Sequence, residues 1–275
     1  MAILMIASHA AFGQVGGTVA VFALRRLGFE VRWLPTTALS NHPGFGRPKG
    51  RVTPAREIRD LINGLSALGR LSDITALLTG YLGDPATGPV VGRLKRRLPD
   101  GALWLCDPIL GDDHTGIYVD PGLVPFFRRS AARADVLTPN RFELATMTGR
   151  PVGTPAEVVN AVEALRERGP RLVVCTSVAT EDRMGIIFAD GRDVVAAMTP
   201  RLATGLHGSG DLFAALLLGG LLKGDNGRAA AVHALNATYA VLKASLDAGS
   251  DRLLLTETQD ALVAPPDVCQ LIDPG

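Results

Sequence analysis

The chain has 275 residues, 47% hydrophobic and 20% charged, with 28 Lys and Arg against 27 Asp and Glu and a formal net charge of +1. That balance excludes a disordered chain, which needs low hydrophobicity and high net charge. It also leaves no positive surplus to neutralise the phosphates of a nucleic acid.

Residues 1–24 contain no Asp, Glu, Lys or Arg. Ser8, His9, Gln14 and several glycines interrupt this stretch, and no positive charge precedes it. It therefore reads as a buried strand, a polar Gly-rich loop and a buried helix rather than as a membrane span or a signal peptide. Further strands are expected at 30–34, 74–79, 102–106, 136–138 and 172–175. Most are continuous apolar runs, as in strands covered on both faces. Helices are expected between them. Pro54 opens one, and Thr154-Pro155-Ala156-Glu157 combines an N-cap, a Pro at the first turn and a capping-box Glu. Asp190-Gly191 between two apolar runs signals a hairpin, which adds an antiparallel edge. Alternation of strands and helices gives a mostly parallel α/β sheet in one domain over residues 1–275.

Ligands bind such sheets at the carboxyl ends of the strands. The loop with the most to say is Gly208-Ser209-Gly210-Asp211, which enters an uninterrupted apolar helix. Its first N–H groups and the helix macrodipole suit an anion. Asp211 is then either a helix cap or a carboxylate placed to take a proton. The next is Cys106-Asp107-Pro108-Ile109-Leu110-Gly111-Asp112. Two carboxylates after a strand suit Mg²⁺, and equally suit a turn and a cap. Thr138-Pro139-Asn140 begins a helix with Glu143 in its first turn, where an acid commonly complements the dipole. Ser8-His9 through Gly16 and Ser40-Asn41-His42-Pro43-Gly44 are polar loops, the second a turn or a flap.

Other chemistries lack their residues. Cys106, Cys175 and Cys269 are too scattered for a disulfide framework, and the five His show no zinc spacing. No G-x-x-x-x-G-K-[ST] loop and no G-x-S-x-G elbow occurs. Gly-Ser-Gly-Asp-Leu-Phe-Ala fits a dinucleotide fingerprint loosely but lies in the last third of the chain, without the second βαβ unit. Only four basic residues are Lys; the remaining 24 are Arg, which a coding bias of the genome explains better than a built arginine surface.

Taken in order, Ser8-His9…Gly13…Gly16, Ser40-Asn41-His42, Thr79-Gly80-Tyr81-Leu82-Gly83, Asp107-Pro108-Ile109-Leu110-Gly111-Asp112, Tyr118-Val119, Thr138-Pro139-Asn140, Thr176-Ser177 and Gly208-Ser209-Gly210-Asp211 resemble the pyridoxal kinase family of the ribokinase-like superfamily. The resemblance covers about residues 6 to 220. It implies a three-layer α/β fold and ATP-dependent phosphorylation of the 5′-hydroxymethyl group of pyridoxal. By the resemblance Asp211 is the general base, and Gly208, Ser209 and Gly210 form the anion hole. Asp107, Asp112 and Glu143 would organise Mg²⁺, directly or through water. Tyr118, Thr138, Thr176 and Ser177 would line the ATP site, and Ser8, His42, Pro43 and Tyr81 the pyridine ring. Activation by a monovalent cation such as K⁺, a homodimer and a cytoplasmic location are also implied. Pro43 stands where the family usually has Thr, Leu39 where an aromatic is frequent, and Ser209 where Thr is usual. A hydroxymethylpyrimidine kinase, which shares the Asp-Pro and Gly-x-Gly-Asp loops, is the main alternative. A catalytically silent ligand-binding member of the fold is another.

Overall fold

The computed structural model describes residues 1–190 and 193–274. The strands are β1 (Ala2–Ala7), β2 (Ala10–Phe12), β3 (Glu30–Pro35), β4 (Thr37–Asn41), β5 (Gly50–Val52), β6 (Ile74–Thr79), β7 (Leu103–Cys106), β8 (Gly111–Asp112), β9 (Gly116–Ile117), β10 (Val136–Leu137), β11 (Leu172–Ala179), β12 (Arg183–Asp190), β13 (Asp193–Pro200) and β14 (Gln270–Ile272). The helices are α1 (Gly17–Arg26), α2 (Ala55–Ala67), α3 (Thr87–Lys95), α4 (Val124–Ser130), α5 (Arg141–Thr148), α6 (Pro155–Arg166), α7 (Ser209–Lys223) and α8 (Gly227–Asp247).

Nine strands make the main sheet in the order β14-β13-β12-β11-β10-β7-β6-β1-β3. Every pair from β11 to β3 is parallel, and β12, β13 and β14 add an antiparallel edge. The expected hairpin forms, with Asp190 opposite Asp193; its expected turn residue Gly191 lies outside the described residues.

The continuous apolar runs have the anticipated cause. In β1, Ala2, Leu4 and Ile6 join a cluster with α2 to α6, while Ile3, Met5 and Ala7 join one with α1, α7 and α8. Alternate side chains thus feed helix layers on opposite faces, and all six are buried. Each large one contributes roughly 1.5–3 kcal/mol relative to exposure. α7 lies in the interior of its layer, with nine consecutive buried residues from Leu212 to Gly220.

Local signals place the helices. Thr154 accepts from the Glu157 N–H and the Glu157 carboxylate accepts from the Thr154 N–H, so α6 begins on a closed capping box. Pro54 is the N-cap of α2 rather than its first residue. β11 runs past the expected end at Cys175, because its antiparallel partner β12 continues to pair with Val178 and Ala179. The register breaks between Cys175 and Val178, where Ser177 takes φ 59°. The Ser40–Gly46 stretch is more ordered than a polar turn: β4 pairs with β2 and β5 in a separate three-stranded sheet, and a 3-10 turn follows at Pro43–Phe45.

Candidate active site

The carboxyl ends of β1, β7 and β10 and the start of α7 bring the expected residues together. Gly208 is the N-cap of α7 with φ 93°, and no side chain caps this helix. A Cβ there would stand 2.2 Å from the Gln14 carbonyl oxygen, so only glycine lets the loop pass. A Cβ on Gly210, by contrast, meets nothing within 4 Å. The first N–H groups of α7 therefore open onto free space, which is what an anion needs.

Asp211 is half-buried in this first turn. Its Oδ2 accepts from the Gly16 N–H at 2.8 Å, joining the first loop to the last. Gly16 has φ 58°, and a Cβ on it would lie 2.3 Å from the Ser8 Oγ. Ser8 in turn accepts from the Gly17 N–H through its carbonyl at 2.8 Å. Burial pushes the Asp211 carboxyl up to about 6, and the Gly16 hydrogen bond pulls the other way. A carboxylate so placed is ionised at neutral pH and basic enough to accept a proton.

Asp107 is buried beside it. Its Oδ1 accepts from the Thr138 hydroxyl at 2.9 Å, and its Oδ2 has no hydrogen-bond partner. Burial, then the Asp211 carboxylate, hold Asp107 well above the usual carboxylate range. Glu143 is also buried and held high, first by burial and then by Asp107. Both of its oxygens are occupied by backbone: Oε1 accepts from Leu110 at 3.0 Å and Oε2 from Asn140 at 2.8 Å, closing a capping box on α5. Tyr118 has its phenol raised by partial desolvation and then by the carboxylates of Glu143, Asp107, Asp211 and Asp112. An orphaned buried oxygen amid this negative charge suits a cation, and Asp107 Oδ2 is the donor the structure offers.

The expected metal trio is not assembled as one set. Among the described residues no three His, Cys, Asp or Glu come together to hold a metal. Asp112 closes the β8–β9 hairpin, where its Oδ1 accepts from the His114 N–H and from both the N–H and the hydroxyl of Thr115. The Thr138 hydroxyl donates to Asp107 Oδ1 at 2.9 Å.

A cavity of about 170 Å³ adjoins the start of α7. Ser209 and Gly210 border it together with Thr176 and Ser177, and Thr238 and Tyr239 of α8 form a further wall. The Thr238 hydroxyl is buried without a partner. Sequence reasoning missed this wall, because helical periodicity does not say which face meets a ligand. Substitution Thr238→Val, nearly isosteric, is expected to raise KM for ATP roughly three- to tenfold by removing one hydrogen-bonding group, with kcat within twofold. Initial rates at varied ATP check it; an unchanged KM would remove Thr238 from the nucleotide site.

The substrate-side residues fall into two groups. His42 caps the Pro43–Phe45 turn through Nδ1, which accepts from the Gly44 N–H, and its ring lies 4.4 Å from that of His207, next to the anion hole. Burial and then His207 push the His42 imidazole down to about 4. Pro43 is exposed at the start of that turn. Tyr81 is half-buried after β6, its phenol raised by burial and then by Asp120, while its carbonyl accepts from the Thr36 hydroxyl.

A helix-covered sheet carrying an uncapped Gly-Ser-Gly-Asp helix start, a buried carboxylate beside it and a neighbouring cavity defines a ribokinase-like small-molecule kinase. The comparisons with known proteins give the particular family. A sequence model of the phosphomethylpyrimidine kinase family matches residues 61–255. Pyridoxal kinase PdxY of Rubrobacter xylanophilus is 38% identical, with 96% of this chain and 94% of that protein covered. Pyridoxal kinase of Leishmania donovani in complex with ADP and pyridoxine superposes with a TM-score of 0.91 at 28% identity, over 98% of both chains. A pyridoxal kinase of the same organism in complex with ADP and pyridoxamine gives 0.88, again at 28% identity and over 98% of both chains. The chain belongs to the pyridoxal kinase family. Among the described residues no helix is long and apolar enough to cross a membrane.

Proposed function

We propose that the protein phosphorylates the 5′-hydroxymethyl group of pyridoxal with ATP, and accepts pyridoxine and pyridoxamine as well. The observation that carries this reading is Asp211, half-buried behind the open N–H groups of Gly208–Gly210 and raised to about 6. Asp211 takes the proton of the substrate hydroxyl as the oxygen attacks the γ-phosphorus. The bond from that phosphorus to the β-phosphate oxygen breaks, and ADP leaves. The N–H groups of Ser209 and Gly210, with the α7 dipole, hold the charge that spreads over the transferring oxygens. Thr176, Ser177 and Thr238 bound the nucleotide side, and Ser8, His42, Pro43 and Tyr81 the ring side.

Mg²⁺ fits this site at Asp107 Oδ2, where it would offset phosphate charge while keeping water and phosphate oxygens as its other ligands. Glu143 supports Leu110 and Asn140 around it, and Asp112 shapes the neighbouring hairpin. Activation by K⁺, a homodimer and a cytoplasmic location follow from the family resemblance.

The family model covers pyrimidine kinases too, so the acceptor is the test. Parallel kinetics on pyridoxal and hydroxymethylpyrimidine are expected to favour pyridoxal in kcat/KM by roughly tenfold or more, since a pocket placed to hydrogen-bond one ring penalises another. A preference for the pyrimidine would reassign the substrate, and the absence of turnover on either would leave a ligand-binding protein.

A further inference from the structure

Between α3 and α4 lies a cavity of about 270 Å³ that shares no residue with the reaction centre. Arg93, Arg96, Arg129 and Arg133 line it together with Trp104 and Phe126. α3 turns two buried glycines towards this hollow, one turn apart. A Cβ on Gly88 would lie 2.6 Å from the Phe126 ring, and one on Gly92 would lie 3.4 Å from Nη1 of Arg133. The missing side chains leave the space into which Arg133 reaches.

Part of the charge has an ordinary cause. Arg93 lies in the last turn of α3 and Arg129 in the last turn of α4, where cations complement the macrodipole. That cause does not by itself gather four arginines around one cavity. All four side chains are exposed, and no Asp or Glu lines the cavity. Among the described residues their one side-chain hydrogen bond runs from Arg96 Nη1 to the Gly92 carbonyl at 3.0 Å. The nearby carboxylate, Asp135, is engaged elsewhere, by Lys95 at 3.7 Å and by the Trp104 N–H. Some arginines elsewhere in the chain have acids of their own, as Arg32 does with Asp73 and Glu30 and Arg141 with Asp113. In a chain of net charge +1, this is a local concentration of unneutralised charge, and guanidinium forks match the oxygens of a phosphate.

We propose that this cavity binds a small phosphomonoester, its phosphate among the arginines and its organic part against Phe126, with the fully buried Trp104 as the floor behind it. The size of the hollow suits a small molecule, just under the usual ~300 Å³ lower bound of ligand pockets. The proposal does not rest on the kinase reading.

The test is calorimetric titration of pyridoxine 5′-phosphate, which has no aldehyde to react with lysines, and of inorganic phosphate, at constant ionic strength with chloride as the balancing anion. The proteins are the wild type, R93S/R129S and R93K/R129K; both positions are exposed, and thermal unfolding confirms that each variant is folded. The wild type is expected to bind one equivalent of pyridoxine 5′-phosphate that R93S/R129S loses or binds at least tenfold more weakly, with kcat and KM for pyridoxal within twofold. R93K/R129K, which keeps the charge without the fork, is expected to fall between. Equal stoichiometry and affinity in wild type and R93S/R129S would overturn the proposal. So would inorganic phosphate binding as tightly as pyridoxine 5′-phosphate, since the aromatic residues would then contribute nothing.

Discussion

Replacing Asp211 by Asn is expected to lower kcat by roughly 10²- to 10⁴-fold, the usual contribution of a positioned general base, with KM for ATP changed only a few-fold. Asn keeps the shape and can still accept from the Gly16 N–H that now bonds Oδ2, so the fold survives. The effect is on proton transfer, and pH reports it. Asp211 titrates near 6, and only its ionised form accepts a proton. In the wild type kcat/KM should therefore rise with pH through about 6 and then level off; in the Asn variant that limb should vanish. The stability effect has the opposite direction. A carboxyl whose folded pKa is raised favours folding at low pH, and that contribution is lost as pH rises from about 4 towards 6. Above 6 the Asn variant, which never ionises, is expected to unfold at the same temperature as the wild type or a higher one. Near wild-type turnover in Asp211→Asn would remove the general-base assignment.

Gly208→Ala is expected to be nearly as damaging, for a different reason. The position has φ 93°, which costs an L-residue roughly 1–2 kcal/mol. The added methyl would also stand 2.2 Å from the Gln14 oxygen, a backbone atom that cannot swing away. The loop must shift, and the N–H groups of Ser209 and Gly210 shift with it. Loss of one such donor elsewhere costs about 10²–10³ in kcat, and a comparable loss is expected here, together with a lower melting temperature. Gly210→Ala is the control. Its Cβ meets nothing in the free protein, so the fold should hold while phosphate access suffers, with no change in melting temperature. A fully active Gly208→Ala enzyme would show that the anion hole lies elsewhere.

Much of this was legible in the residue order. β1 ends where its apolar run ends, because both faces of the strand are covered and no polar position interrupts the run. Thr154 and Glu157 mark the start of α6 by pairing with one another's backbone. Gly208–Asp211 could be singled out because a helix start without a side-chain cap leaves its donors open. The sheet of β2, β4 and β5 was not legible: its strands are three to five residues long and mostly exposed, so they carry no core pattern. Glu143 shows a second limit. Its position in a first helical turn fits both a dipole partner and a metal ligand, and only the contacts with Leu110 and Asn140 show where its oxygens are spent. The same holds for Arg93, Arg96, Arg129 and Arg133. They read as coding bias in a line of residues and converge only when α3 is laid beside α4.

The hydrogen bond from Gly16 to Asp211 joins residues 195 positions apart. Ribosomes extend a chain at roughly 5–20 residues per second, so the donor waits on the order of 10–40 s for its acceptor to be made. During that interval β1 already has β3 and β6 as neighbours, yet no reacting centre exists. Catalytic competence in this protein is thus a late event of biosynthesis: a nascent chain cut short before α7 would hold eight of the nine strands of the main sheet and no chemistry.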